Sequence, residues 1–228
     1  MKKEYVAAVR ALRKASILSD TSKEKYKINL DIAKNLSEFD LNGANKLLND
    51  TIYKIKVQKR KLGTNSYQDL LAQAYLMMNK KTEDEFNQIK ITKTTRSPSS
   101  LITRKLNLFN KSMNLLNKVI KTNSPSWSAQ ARYIGAKNAE EISAELMFIS
   151  LTETKNRLKK NKYRQRSKRL RVFSQKLYSQ NVLSEKKYPI LKKSEWVKKS
   201  HIKLSGLKKS KVYSFNKMFQ IDLDKSRY

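Results

Sequence analysis

LITRKLNLFNKSMNLLNKVIK, residues Leu101–Lys121, carries the clearest helical periodicity in the chain. Apolar side chains recur in it at intervals of 4, 3, 4, 3 and 4 residues, at Ile102, Leu106, Phe109, Met113, Leu116 and Ile120. Residues at this spacing lie on one face of an α-helix. The pattern predicts a helix of about 20 residues that packs against neighbouring helices, because fewer than three heptads are too few for a free coiled coil.

The rest of the chain has the composition of an all-α protein. Only four Gly and three Pro are present in 228 residues, whereas sheet proteins need turn residues at short, regular intervals. Stretches with helical apolar spacing are separated by short polar turns. The sequence therefore predicts an all-α fold of about eight or nine helices, joined as antiparallel pairs.

Capping residues predict several helix boundaries. Thr21 and Asp40 are placed to cap the second and third helices, and Leu62-Gly63 to end the third. Pro125 suits the first turn of a later helix. Ser194 caps a predicted last helix, which Gly206 ends.

Acidic residues follow Thr82 in a pattern that resembles a helix start. Thr82 and Glu85 have the spacing of a capping box. The pattern predicts a separate short helix whose opening turn contains Glu83, Asp84 and Glu85, where negative charge favours the helix dipole.

These boundaries divide the chain into four parts. Residues 1–90 form an N-terminal helical segment, and residues 91–100, ITKTTRSPSS, form a linker rich in β-branched residues, Ser and Pro. Residues 101–207 form a C-terminal helical segment that contains a basic connection at 155–171, and residues 208–228 form a tail.

Two stretches resemble tetratricopeptide-repeat proteins. In IAKNLSEFDLNGANKLLNDTI (Ile32–Ile52), Ala44 stands where the second helix of a repeat needs a small residue. LNLFNKSMNLLNKVIKTNSPSWSAQARYIGAKNAEEISAEL (Leu106–Leu146) is similar to the late region of large bacterial tetratricopeptide proteins associated with the envelope and surface motility. The shared elements are an S-P-x-W turn containing Trp127, a Tyr-Ile-Gly step ending at Gly135, and a Ser-Glu-Trp-Val element containing Trp196. The resemblance implies a short solenoid of stacked helix pairs and structural roles for these four residues, with both tryptophans in the core rather than stacking on a ligand.

The charge of the chain is strongly positive. It has 51 basic and 19 acidic residues, a formal net charge of +32. A field of this sign attracts nucleic acid, anionic lipid headgroups or an acidic protein. Lysine-rich coding bias in an AT-rich genome is the alternative explanation for the excess of lysine.

The basic stretch KNRLKKNKYRQRSKRLR, residues Lys155–Arg171, is the main candidate binding segment. Ten of its seventeen residues are basic. In a helix, one positive ridge would contain Lys155, Lys159, Lys162, Arg166 and Arg169, and a second would contain Arg157, Lys160, Arg164 and Lys168, with Arg171 following. Such ridges bind phosphates or an acidic partner without reading base sequence. The alternative is a solvated, length-variable connection between repeat helices.

The sequence contains no recognisable catalytic or cofactor-binding motif. The chain has no Cys, and its sole histidine, His201, lacks neighbouring ligands for a metal or partners for a triad. Glu140, Glu141 and Glu145 lack the Glu-x-x-His spacing of di-metal bundles, so we expect them to pair with Lys137 or with basic residues of a neighbouring helix. No phosphate-binding glycine loop is present. We expect no enzyme activity, no cofactor and no metal.

The leading hypothesis is a helical-repeat scaffold that holds a protein partner. The alternative is an RNA- or DNA-binding protein, associated with the ribosome or nucleoid, although no recognisable nucleic-acid module is present. We predict no transmembrane segment. The N-terminus is not a signal peptide, since Arg10, Arg13 and Lys14 interrupt its apolar residues. The sequence as given thus predicts a cytoplasmic protein, whereas the resemblance predicts an envelope location if the chain lacks an N-terminal part.

Overall fold

The computed structural model describes residues 2–91, 98–152 and 157–209. All secondary structure in these ranges is helical, which confirms the predicted all-α class and the predicted number of helices. The helices are α1 (Lys2–Leu18), α2 (Ser22–Leu36), α3 (Leu41–Val57), α4 (Lys59–Leu62), α5 (Thr64–Gln88), α6 (Pro98–Lys121), α7 (Pro125–Thr152), α8 (Arg157–Lys187) and α9 (Glu195–Lys209). A 3-10 helix, Pro189–Lys193, connects α8 to α9.

Local capping chemistry places the early boundaries where the sequence predicts them. The Thr21 hydroxyl accepts a hydrogen bond from the Glu24 amide at 3.2 Å, and the Asp40 carboxylate accepts one from the Gly43 amide at 2.9 Å. Gly63, at φ 71°, separates α4 from α5, so the predicted stop ends the short α4 while α3 already ends at Val57.

The short helix predicted after Thr82 is wrong. Helix α5 runs without interruption from Thr64 to Gln88. Asn79, Thr82 and Phe86 lie on one face and are all buried, and burial of this face extends the helix past the local start signal. Glu83, Asp84 and Glu85 therefore lie near the end of α5 and not in an opening turn.

Three other boundaries differ from prediction. Helix α6 begins at Pro98, so the last three residues assigned to the linker are helical, and residues 92–97 of the linker lie outside the described ranges. Helix α9 continues past Gly206 to Lys209, and residues 210–228 of the predicted tail also lie outside these ranges. A glycine inside a helix costs about 1 kcal/mol relative to alanine, which a packed helix tolerates. Residues 157–171 of the predicted connection form the first half of α8.

Consecutive long helices pack side by side and run antiparallel. Between α7 and α8, Ser143 and Ser167 exchange hydrogen bonds of 2.8 and 2.7 Å, and Asn181 donates to the Ala129 carbonyl at 2.9 Å. Residue 129 of α7 thus contacts residue 181 of α8, whereas residue 143 contacts residue 167, so the two helices run in opposite directions. Helix α2 also contacts α5, α5 contacts α7, and α7 contacts α9, so these four helices adjoin one another in turn.

Most of the core is a single apolar cluster. It takes residues from both the N-terminal and the C-terminal helical segments, among them Leu30, Ile55, Phe86, Leu116 and Ile142, all fully buried. Smaller clusters lie around Val9 and Ala44, and around Leu191 and Val197. Burial of the shared cluster holds the two segments together.

Within the described ranges, each helix is too short or too polar to cross a lipid bilayer.

Candidate functional site

The basic residues singled out in the sequence lie on the first half of α8. We call Arg157–Arg171 the α8 basic segment. Seven of its basic residues are exposed, namely Arg157, Lys159, Lys162, Arg166, Lys168, Arg169 and Arg171, whereas Lys160 and Arg164 are half-buried. Lys155 lies outside the described residues. The ridge that contains Lys159, Lys162, Arg166 and Arg169 therefore faces solvent along its described length.

Helix α6 runs parallel to α8. The Tyr163 hydroxyl donates to the Ser99 hydroxyl at 3.3 Å, a separation of 64 residues. The rings of Phe109 and Phe173, with the same separation, meet edge to face at 6.3 Å between centroids. The two helices therefore run parallel, and both contribute to this part of the protein surface.

This surface contains no acidic residue from either helix over a long distance. We call α6 together with residues 157–184 of α8 the basic layer, and neither stretch contains Asp or Glu. Helix α6 adds four exposed cations, Arg104, Lys111, Lys118 and Lys121. Because neither helix contributes an acidic side chain, positive charge predominates along the exposed side of the layer.

A buried ion-pair network lies behind the same layer, and no sequence pattern considered above predicts its centre. The Lys105 side chain is fully buried. Its Nζ atom donates to Oε1 of Glu141 and of Glu145, each at 2.7 Å, and to the Ile89 carbonyl at 2.8 Å. It also lies 4.7 Å from the centroid of the Phe86 ring. Of the two pairings expected for these glutamates, the structure has the one to a neighbouring helix.

The pKa values of the two glutamates in this network are shifted in opposite directions. Burial opposes ionisation of Glu141, but hydrogen bonds and charge from Lys105 and Lys90 outweigh it and lower its pKa. Burial dominates at Glu145 and raises its pKa, although Lys105 acts against it. One lysine is thus shared by a carboxylate that ionises readily and one that resists ionisation.

The predicted structural residues lie at helix contacts. Ala44 is 1% exposed and packs with Val9, Ile32 and Leu36. Gly135 is buried on α7, where a Cβ atom would lie 2.8 Å from Met113 Sδ of α6 and 3.3 Å from Leu177 Cδ1 of α8. Its missing side chain lets both helices approach α7 closely.

Both tryptophans contact apolar clusters. Trp127 is half-buried against the large cluster. Trp196 packs beside Leu191 and Val197, its ring centroid 5.4 Å from that of Tyr133 and 4.5 Å from Lys199 Nζ.

The remaining candidate groups contact polar side chains of neighbouring helices. Nε2 of His201 lies 3.0 Å from Glu185 on α8, and His201 is exposed. Glu140 pairs with Lys203 of α9 at 3.1 Å. Over the described part of the chain, no three His, Cys, Asp or Glu side chains are grouped so that they could hold a metal ion.

No protein-family model, curated protein or solved structure matches this chain.

Proposed function

We propose that this chain is a non-catalytic helical-repeat scaffold that binds a protein partner. The observation that carries the proposal is a repeated register between alternate helices. Helices α6 and α8 are related by an offset of 64 residues. Helices α7 and α9 are related by an offset of 63, through the Tyr133–Trp196 ring contact and the 3.2 Å hydrogen bond from Lys203 to Glu140.

These nearly equal offsets support a repeat in which the pair α8–α9 follows the pair α6–α7. A displacement repeated from pair to pair generates a solenoid, and solenoids bind partners along extended surfaces. Helix α2 contacts α5 and α5 contacts α7, which is the neighbour relationship that a repeat of this kind would have towards the N-terminus. The resemblance to tetratricopeptide proteins of the bacterial envelope supports an envelope-associated complex as the setting.

The test of the scaffold uses photo-crosslinking from defined positions. A photoreactive amino acid placed at exposed positions of α6 and α8, such as Asn107 and Asn161, identifies the protein in contact, which is then purified. We expect saturable binding that changes little between about 0.1 and 0.5 M salt, because a packed interface depends mainly on apolar burial. Failure to form a complex from the two purified proteins would overturn the proposal.

A second candidate function is binding of RNA or DNA through the basic layer. It is favoured by the exposed cations of the α8 basic segment and by the absence of acidic residues over 157–184. Contacts from lysine and arginine to phosphates release counterions, so affinity falls steeply as salt rises.

The test of the second candidate compares two variants that lose the same charge. K162Q/R166Q/R169Q removes three exposed cations of the α8 basic segment. K54Q/K80Q/K81Q removes three lysines that pair with Asp50, Glu38 and Glu85. If phosphates bind the segment, only the first variant lowers the slope of log affinity against log salt, by about 0.7–0.9 for each phosphate that it no longer neutralises. An equal decrease in both variants would show attraction to net charge alone.

A further inference from the structure

A cleft lies where α4, the first half of α5 and the end of α6 meet. Its volume is about 410 Å³, within the range of small-ligand sites. Three lysines line it, Lys59 from α4 and Lys118 and Lys121 from α6. They come from two separate parts of the chain, so the fold and not a local run of charge brings them together.

Tyrosine rings position two of these lysines. Lys59 Nζ lies 5.4 Å from the centroid of Tyr67, and Lys118 Nζ lies 5.6 Å from that of Tyr75. Tyr75 is buried and Tyr67 is half-buried, and both line the cleft. An ammonium group over an aromatic face is held there by the ring quadrupole. Both ammonium groups therefore lie beside tyrosine rings that line the cleft.

The backbone adds hydrogen-bond donors. Helix α5 starts at Thr64, which lines the cleft, and no side chain caps this end. The first amides of a helix have no intrahelical acceptor, and they carry the positive end of the helix dipole. The nearby end of α6 carries the opposite partial charge, which Lys118 and Lys121 in its last turn offset.

One acidic side chain lies close to this region and is already engaged. The Asp69 carboxylate accepts a hydrogen bond from the Ser124 hydroxyl at 2.6 Å. The bond ties the turn between α6 and α7 to α5. Three lysines against one engaged carboxylate leave the cleft with a surplus of positive charge.

We propose that this cleft binds a phosphate group, with Lys59, Lys118 and Lys121 supplying charge and the start of α5 supplying amide donors. A phosphate offers several acceptor oxygens in different directions, which matches donors that converge from three helices. Ammonium groups and helix N-termini are established ligands of phosphate oxygens. The site is separate from the α8 basic segment and does not depend on the proposed scaffold function.

The probes are inorganic pyrophosphate and ATP, titrated by calorimetry at about 0.15 M salt. We expect one saturable site for pyrophosphate. A free inorganic anion as the natural ligand predicts equal or tighter binding of pyrophosphate than of ATP, and a nucleotide predicts tighter binding of ATP. Both outcomes support a phosphate site, whereas a weak, non-saturating signal with both probes would overturn it.

Matched variants separate the cleft from general attraction to a basic protein. K59Q/K118Q/K121Q is expected to weaken pyrophosphate binding by about tenfold or more, since several charge-assisted hydrogen bonds are removed. K54Q/K80Q/K81Q loses the same charge at positions that do not line the cleft and is expected to change the affinity by less than about twofold. Equal weakening in the two variants would overturn the proposal.

A steric variant gives an independent measurement. Gln68 lines the cleft and is half-buried, so Gln68→Trp fills the space without changing charge. We expect it to weaken pyrophosphate binding by about tenfold while the circular dichroism spectrum stays that of the parent protein. Unchanged affinity in a folded Gln68→Trp variant would place the anion elsewhere and overturn the proposal.

Discussion

Lys105 Nζ lies 2.7 Å from Glu145 Oε1, and the Lys105 side chain has no solvent exposure. Glu141 Oε1 lies at the same distance from Nζ. An ammonium group is strongly hydrated in the unfolded chain, so these two carboxylates and the Ile89 carbonyl replace its water in the folded protein. Helices α6 and α7 are joined at this point by charge as well as by apolar packing.

Lys105→Met is expected to destabilise the protein by about 3 kcal/mol. The substitution leaves Glu141 and Glu145 without their shared partner in a site where they are only 24% and 12% exposed. Urea unfolding followed by circular dichroism measures the loss. Lys80→Met is the control, because the Lys80–Glu38 pair is exposed and contributes less than about 1 kcal/mol.

The triple variant K105M/E141Q/E145Q tests the cause of that loss. Removing the two carboxylate charges should recover part of the stability that Lys105→Met costs, since that substitution leaves Glu141 with only the exposed Lys90 and Glu145 without Lys105. If the single variant is no less stable than Lys80→Met, the network contributes nothing to folding.

Glu141→Gln and Glu145→Gln are expected to change the pH dependence of stability in opposite directions. The pKa of Glu141 lies below its ordinary value of 4.5, so its ionised form stabilises the fold at neutral pH, and this contribution is lost as the pH falls from about 4.5 through the lowered pKa. Glu141→Gln should therefore be less stable than the parent at pH 7, with a difference that shrinks on acidification.

The pH dependence that Glu145 contributes to stability has the opposite sign to that of Glu141. Its pKa is raised above 4.5, so the folded state binds the proton more tightly than the unfolded state, and stability falls as the pH rises from 4.5 through the raised pKa. The stability of Glu145→Gln relative to the parent should therefore increase as the pH rises from about 4 to 7. Urea unfolding at a series of pH values measures both variants, and slopes of the same sign would contradict the assignment.

Gly135→Val is expected to destabilise the protein by about 2–4 kcal/mol. The first added carbon would already lie 2.8 Å from Met113 Sδ and 3.3 Å from Leu177 Cδ1, so a side chain with two further methyl groups requires these neighbours to move. Gly206→Ala is the control, because no atom lies within 4 Å of the added carbon. It should raise stability by up to about 1 kcal/mol through helix propensity, as measured by thermal unfolding.

The contrast between Gly135 and Lys105 shows what local sequence can predict here. A glycine among alanines inside a helical pattern predicts a close helix contact, and Thr21 and Asp40 cap their helices through partners only three residues away. Lys105 finds its carboxylate partners 36 and 40 residues away. Such pairings depend on how helices meet, which no local pattern specifies.

The sequence nevertheless contains a weaker indication that Lys105 is buried. It lies three residues after Ile102 and four before Phe109, the spacing of a buried face. Glu141 and Glu145, spaced i and i+4, stand next to the apolar residues Ile142 and Leu146 of α7. A cation on one buried face and two acids on another indicate a buried ion pair between the helices.

Neutralising the α8 basic segment is expected to stabilise the folded protein. Lys162, Arg166 and Arg169 are exposed and lie four and three residues apart on one helix, and like charges at these spacings destabilise a helix by about 0.2–0.5 kcal/mol per pair. K162Q/R166Q/R169Q should therefore gain about 0.5–1 kcal/mol at low salt. At about 1 M salt the gain should disappear, because screening already removes the repulsion in the parent chain.

The control for this gain is K54Q/K80Q/K81Q, which also lowers the net charge by three. These lysines each lie within 4.0 Å of an acidic side chain, so their loss removes weak attractions and should not stabilise the protein. Thermal unfolding at low and high salt compares the two triple variants. If both variants gain equally, the repulsion belongs to the net charge of +32 and not to α8.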